Sequence, residues 1–324
     1  MAGRRKRPRS RPDTMKDTAS CAHVTYQPAE PPWVNSNRMK SAARETAPPF
    51  SDLHRKANRV TPVLMGQMHR LLLTALPKLA ISRTSGWLAR LPLPSALRPW
   101  LYGRFARRYG CDLEEAELEP ADYRCLADFF QRGLRPDARP IDPQATLVWP
   151  CDGKIVTSGA IHDGRIPQIK GTDFSIRDLL IDNALGEALR SGTHATIYLA
   201  PGDYHRVHSP FSGEVLTHTH LPGGLFPVNP GAVNNIENLF VRNERHVLQY
   251  RLEDGRAAAV VLVAALNVGD TLIHSPCPRQ VSIGEEIGRF GLGSTVIVLV
   301  APGTPQWENF SPETIVRVGQ QASP

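Results

Sequence analysis

The feature that most constrains the fold is a change of period at Pro140. Before it, Pro77, Pro92, Pro94 and Pro99 cut an apolar and basic stretch into short helices, because proline lacks a backbone donor and clashes with the preceding turn. The helical pattern resumes from Tyr123 to Gly133. After Pro140, runs of β-branched residues alternate with Gly, Pro and Asp. Gly153 to Ile169 reads as a hairpin around Asp163-Gly164, and Val247 to Ala265 as a second around Glu253-Asp254-Gly255. Ala195 to Ala200 and Val296 to Ala301 are further strands. No internal repeat is visible. This pattern predicts an α+β chain, with N-terminal helices followed by an antiparallel β-rich domain of sandwich or barrel-like form. Three parts are expected: a tail over 1–60, a helical segment over 61–140 and the β-rich domain over 141–324.

Charge separates these parts. The chain has 324 residues and a formal net charge of +7. Residues 1–60 hold 13 Lys/Arg against 5 Asp/Glu, so the tail carries the surplus and the rest is nearly neutral. The tail opens Arg4-Arg5-Lys6-Arg7-Pro8-Arg9-Ser10-Arg11 and continues rich in Pro, Ser, Thr and Ala. It has too little apolar surface to offset ordering entropy, so disorder is expected. Met15, Met39 and Met65 are alternative starts. No nucleic-acid fold or aromatic interleaving follows the basic run, which argues against a nucleic-acid partner.

From Leu53 to Cys111 there is no acidic residue, while 11 Lys/Arg alternate with leucines and with Trp87, Trp100, Tyr102 and Phe105. Cationic charge with aromatic and leucine anchors suits helices lying in a membrane interface, where each basic residue near anionic lipid contributes about 1 kcal/mol. Trp87, Leu88, Trp100 and Leu101 are the expected apolar contacts, with Arg90, Arg98 and Arg104 at headgroup level. A basic helical pair packed on its own domain is the alternative. No signal peptide and no run of some 18 apolar residues appear, so peripheral attachment is expected rather than a span. Five cysteines, at 21, 111, 125, 151 and 277, are odd in number and lack Cys-x-x-Cys spacing. That disfavours a disulfide framework or zinc knuckle and fits a reducing compartment.

The chemistry concentrates at Gly293-Ser294, inside Gly288-Arg289-Phe290-Gly291-Leu292-Gly293-Ser294-Thr295 and ahead of the apolar run Val296 to Val300. A serine after glycine on strained backbone can attack the preceding carbonyl and turn the amide into an ester. β-Elimination then breaks the chain, and the dehydroalanine left behind hydrolyses to a pyruvoyl group with loss of ammonia. The same residues also occur in ordinary loops, so the reading depends on the rest of the chain. His205 and His208 form a His-x-x-His pair, and Asp152-Gly153 reads equally as a turn. No third ligand sits at motif spacing, so no metal site is expected there. On a regular strand His205 and His208 would face opposite ways. A turn opened by Pro201-Gly202 lets them face one cavity.

Tyr204-His205-Arg206-Val207-His208-Ser209-Pro210, Pro150-Cys151-Asp152-Gly153-Lys154 and Leu292-Gly293-Ser294-Thr295 resemble the motifs of the phosphatidylserine decarboxylase proenzymes. So do Asp128-Phe129-Phe130 with Arg139-Pro140-Ile141, Ile169-Lys170-Gly171, and Asn238-Leu239-Phe240-Val241-Arg242-Asn243-Glu244-Arg245. The resemblance runs from about Leu71 to Val300 in the family's order. Cys151 stands where the family usually has a small residue, and Ala264-Ala265 where a glycine-alanine pair is common.

The resemblance implies a self-processing decarboxylase converting phosphatidylserine to phosphatidylethanolamine and CO2 through a Schiff base with a pyruvoyl group made from Ser294. It implies Asp152, His208 and Ser294 for self-cleavage between Gly293 and Ser294. A neutral histidine takes the serine proton and a carboxylate orients it. It implies His205 for proton transfer in decarboxylation. The products are a large chain (1–293) and a small chain (294–324). A homodimer on the cytoplasmic face of the inner membrane is expected, meeting phosphatidylserine at an anionic surface. The competing readings are a serine hydrolase using Ser294, His208 and Asp152, which lacks a Gly-x-Ser-x-Gly elbow, and a membrane-binding protein without catalysis.

Overall fold

The computed structural model describes residues 78–141, 143–169, 172–265, 271–274, 277–291, 294–303 and 305–322. The expected tail over 1–60, the start of the acid-free stretch, Lys170-Gly171 and Leu292-Gly293 lie outside the described residues.

The helical segment gives α1 (Lys78–Ala89), a 3-10 turn (Ser95–Leu97), α2 (Arg98–Tyr109) and α3 (Leu126–Phe130). Pro99 sits in the first turn of α2, where its missing N–H costs nothing. Gly110 ends that helix in the left-handed region at φ 76°, and its N–H donates to the Ala106 carbonyl at 2.7 Å. α2 buries Tyr102 and Ala106. Tyr102 stacks on Phe129 at 4.5 Å between centroids, and Tyr123 meets Phe129 edge-on at 5.4 Å. This aromatic cluster forms a small core of its own. Leu101 packs against it, so the exposed apolar face expected over 87–101 consists of Trp87, Leu88 and Trp100 without Leu101. Those three are 61%, 53% and 63% exposed. No described helix is long and apolar enough to cross a membrane.

Among the described residues the remainder holds thirteen strands: β1 (Gly153–Ala160), β2 (Arg165–Ile169), β3 (Thr172–Ser175), β4 (Thr193–Leu199), β5 (Arg206–His208), β6 (Gly213–Leu221), β7 (Arg245–Leu252), β8 (Ala257–Ala264), β9 (Thr271–Ile273), β10 (Arg279–Val281), β11 (Glu286–Phe290), β12 (Ser294–Val300) and β13 (Ile315–Val316). Four short helices interrupt them: α4 (Ile176–Leu180), α5 (Asn183–Ala188), α6 (Pro230–Asn235) and α7 (Leu239–Arg242). Eight strands form one antiparallel sheet in the order β10-β6-β7-β8-β12-β4-β1-β13. β5-β11-β9 form a second sheet and β2-β3 a ribbon. The large antiparallel sheet agrees with the expected β-rich domain. Its end strands β10 and β13 are not paired with each other, so it is open rather than a closed barrel.

The centre is β8 and β12. Every residue of β12, and all of β8 after Ala257, is buried. A continuous apolar run is what a strand covered on both faces requires, and each fully buried Val, Leu or Ile contributes about 1.5–3 kcal/mol. The hairpin around Glu253-Asp254-Gly255 forms as expected, with Gly255 at φ 85° between β7 and β8. The hairpin expected over Gly153 to Ile169 does not. Asp163 and Gly164 turn with positive φ (49° and 70°), but β1 pairs with β4 and β13 while β2 pairs with β3. β13 takes the second edge of β1 only at Gly153 and Lys154, and β2 turns to pair with β3 instead of continuing the large sheet.

Candidate active site

Three strand ends meet in one row. Ser294, the first residue of β12, lies opposite Leu199 at the end of β4 and Ala264 at the end of β8. Asn243 fixes this row from behind. Its Nδ2 donates to the carbonyls of Ala264 (2.8 Å) and Phe226 (2.9 Å), and its Oδ1 accepts from the Phe226 N–H at 3.0 Å. The adjacent Arg245 donates to the carbonyls of Leu179, Val241 and Asp178. The Asn238–Arg245 stretch thus acts on backbone groups and braces the sheet where Ser294 begins.

Ser294 is fully buried, and its Oγ meets no hydrogen-bond partner among the described residues. An unsatisfied buried hydroxyl costs about 1–3 kcal/mol, so native proteins keep few of them and those few call for a reason.

After Leu199 the chain turns. The Asp203 N–H donates to the Ala200 carbonyl at 2.9 Å, and Asp203 Oδ2 accepts from the Ala200 N–H at 2.6 Å. Glycine is required at 202, since a Cβ there would lie 2.1 Å from the Tyr109 carbonyl oxygen of α2. The turn delivers His205, whose imidazole is fully buried and sits 4.0 Å from the Phe130 ring. Nδ1–H donates to the Asp203 carbonyl at 2.8 Å. Nε2 therefore carries the lone pair, and it has no partner among the described residues. Burial, with a smaller contribution from the Arg132 charge, holds the ring neutral and lowers its pKa to about 3. The Phe290 N–H donates to the His205 carbonyl at 3.0 Å, tying this loop to the end of β11 just before the Gly293-Ser294 link.

His208 lies on β5, and its N–H donates to the Pro150 carbonyl at 2.8 Å, which brings it beside the Asp152 loop. Its Nδ1–H donates to the Gly284 carbonyl at 2.7 Å, and Nε2 accepts from the Tyr204 hydroxyl at 3.0 Å. Burial lowers its pKa below the usual histidine value. Asp152 is engaged elsewhere. Arg139 holds it through two contacts, at 3.1 and 2.5 Å, and the Val318 N–H donates to Oδ1 at 2.8 Å. Arg139 also binds Glu115 at 2.9 Å, and Glu115 binds Arg317 at 2.9 Å.

Two cavities flank these groups. A cavity of about 570 Å³ is lined mainly by apolar groups, among them Leu88, Phe105, Phe130, Tyr198, Val228 and Ala265. Its walls adjoin the Ser294 row in the chain, because Tyr198 precedes Leu199 and Ala265 follows Ala264, though none of the three residues of that row lines it. A polar cleft of about 110 Å³ contains Arg132, Arg139, Asp152, Asp203 and Tyr204.

The fold therefore brings Ser294 and His205 to one end of the central sheet, and Asp152 and His208 onto adjoining loops. It does not join Asp152 to His208, since Gly284 sets the histidine tautomer. Tyr204 and Arg139 stood within the resembling stretches without an assigned contact. Arg132, whose Nε and Nη1 are buried without partners among the described residues, had no sequence signal beyond its charge.

A profile described as phosphatidylserine decarboxylase matches residues 126–323. The chain belongs to the phosphatidylserine decarboxylase family. That makes it a carboxy-lyase by class. A protein of Halorhodospira halophila named phosphatidylserine decarboxylase proenzyme is 42% identical over 256 residues, which is 72% of this chain and 85% of the relative. The protein of the same name from Chromobacterium violaceum is 40% identical over 273 residues, covering 76% and 94%. One from Xanthomonas campestris pv. campestris is 39% identical over 273 residues, covering 78% and 93%. Both of the decarboxylase family's resembling loops, 150–154 and 204–210, line this one region of the fold.

Proposed function

We propose that this chain is a self-processing decarboxylase that builds a pyruvoyl group from Ser294 and converts phosphatidylserine to phosphatidylethanolamine and CO2. The observation that carries this reading is the fully buried Ser294 hydroxyl, which meets no partner among the described residues and stands at the start of β12. It gains no hydrogen bond among the described residues, and in the family's Leu292-Gly293-Ser294-Thr295 context reactivity gives it a role there. Attack on the Gly293 carbonyl, followed by elimination, cuts the chain into 1–293 and 294–324. A serine hydrolase is disfavoured, because Ser294 stands in Leu292-Gly293-Ser294-Thr295-Val296 and not in a Gly-x-Ser-x-Gly elbow.

The pyruvoyl ketone supplies an electron sink for the electrons left when CO2 departs. The protein's own residues do the rest. His208, held neutral by burial with its lone pair on Nε2, is the base for maturation, and Tyr204 covers that nitrogen until it is used. Asp152 shapes the loop beside it through Arg139 and Val318. His205 carries its free lone pair behind Phe130, where it can accept a proton from the substrate complex and return it to the carbon that lost CO2. The apolar walls exclude water and accept acyl chain.

The substrate is drawn from a bilayer. Leu88 lines the cavity and is itself exposed, and Trp87 and Trp100 are exposed nearby in the basic helical segment. This supports docking of α1 and α2 on the anionic cytoplasmic face of the inner membrane. In this reading the chain divides into a basic tail over 1–60, a docking segment over 61–140 and a catalytic part over 141–324, and works as a homodimer.

Intact mass of the purified protein tests the proposal. Two chains are expected, the smaller beginning at position 294, lighter than its encoded peptide by one ammonia and blocked to Edman sequencing. An Edman read of Ser-Thr-Val, or an uncut chain with full activity, overturns it.

A further inference from the structure

A second cluster of chemistry-bearing side chains lies on the β6–β7 ribbon, away from the histidines of the candidate active site. His218 and His220 are two apart on β6, so they share a face. Glu244, just before β7, and His246, on it, are also two apart. His220 lies directly opposite His246 in the ladder. All four side chains thus converge on one face. The rings of His220 and His246 stack 4.5 Å apart, and those of His218 and His246 5.1 Å apart. His218 Nε2 is 2.8 Å from His246 Nδ1, and His220 Nε2 donates to Glu244 Oε1 at 3.0 Å. Ligand atoms of His220, Glu244 and His246 all lie within 4.8 Å of one another.

Packing three imidazoles and a carboxylate together has no evident value for the fold. They are half-buried rather than part of the apolar core, and each could be solvated separately. Of the four, only Glu244 belongs to a stretch that carries the family resemblance. The donor types are those of a transition-metal site. Imidazole nitrogen with one carboxylate suits Zn²⁺ and its first-row neighbours, whereas Ca²⁺ and Mg²⁺ want oxygen shells. Nitrogen and oxygen ligands of tetrahedral zinc lie about 2.0–2.2 Å from the ion, hence roughly 3.3 Å from each other. The three ligand atoms need to close by at most about 1.5 Å, which rotation of the His220 and Glu244 side chains, 35% and 31% exposed, toward the more buried His246 provides.

We propose that His220, Glu244 and His246 form a site for a divalent first-row transition metal of the zinc type, with His218 as fourth ligand or as the partner that orients His246. The ion would clip β6 to β7 at the end of the sheet where Ser294 begins, since the Glu244 carbonyl accepts from the Ala264 N–H and Ala264 faces Ser294. The site does not depend on the pyruvoyl reading.

The test uses the full chain, made without a polyhistidine tag, stripped with chelator and titrated with Zn²⁺ by calorimetry. Co²⁺ is added in parallel, and its visible absorption reports nitrogen and oxygen ligation. One ion per chain and a Zn²⁺-dependent rise in melting temperature are expected. His220→Ala and Glu244→Gln should each weaken binding by about tenfold or more, with loss of the melting shift. The exposed His162→Ala should bind like the parent, and circular dichroism separates loss of ligand from loss of fold. Failure of the parent to bind Zn²⁺, or equal binding by folded His220→Ala and Glu244→Gln, overturns the proposal.

Discussion

Ser294 and His205 are both fully buried, and each holds an atom without a hydrogen-bond partner among the described residues. Their substitutions should fail at different steps. Ser294→Ala leaves no hydroxyl to attack Gly293, so a gel should show one chain with no turnover. His205→Ala should still cut and then lose turnover by about 10²–10⁴-fold, the usual contribution of a placed proton donor or acceptor. A His205→Ala protein that matures and turns over at the parent rate removes His205 from the chemistry. His208 gives a pH test. Burial lowers its pKa, so the neutral base is present above that lowered value and lost as pH falls through it. The rate of self-cleavage, followed by gel after a pH jump, should be level through neutrality and drop only below the ordinary histidine range near 6.5. A rate already half lost at neutral pH would exclude His208 as the base.

At the scale of elements, the joint between α2 and the 200–203 turn positions both the cavity and His205. Gly202→Ala places a methyl against the Tyr109 carbonyl. The backbone must move, so a loss of about 1–3 kcal/mol in urea unfolding is expected, together with slower turnover. Unchanged stability would mean that the helix is not seated on the turn. The exposed face of the same helices gives a separate prediction. Trp87→Asp with Trp100→Asp should reduce sedimentation with anionic vesicles and turnover of bilayer substrate, while sparing self-cleavage and a short-chain soluble analogue. Binding to vesicles should also weaken with salt, as surface charges are screened over about 8 Å at physiological ionic strength.

Much of this level was legible from sequence wherever local chemistry decides it. The β7–β8 hairpin follows from Asp254-Gly255 between apolar runs, and β12 from Val296 to Val300. The pairing of β1 was not legible, because its turn at Asp163-Gly164 is local while its partners β4 and β13 lie far along the chain. In the site, the reactive residue types were legible and their contacts were not. Gly284 is 76 positions from His208, and Val318 is 166 from Asp152, so only the folded chain sets which group orients which. That Leu101 packs partly against the aromatic cluster was not legible for a similar reason, since helical period leaves open which side another helix will cover.

For the whole molecule, the position of Ser294 decides the fate of the two pieces made by a cut at its amino side. β12 has seven ladder positions against β4 and seven against β8, and β13 pairs with β1 at the far edge. The 294–324 segment is therefore the spine of the sheet rather than a tail trimmed from it. The two pieces should copurify through high salt and separate only in denaturant. A cut before Ser294, as proposed, would make folding a one-way event with a memory. A continuous chain can thread β12 between β4 and β8 during folding, whereas two separate polypeptides would have to find each other and insert a strand into the middle of an unfinished sheet. Uncut Ser294→Ala should regain its native spectrum after dilution from denaturant, and the processed protein should aggregate instead. A catalyst processed in this way would have a finite service life set at birth, for once unravelled it would have to be replaced by synthesis.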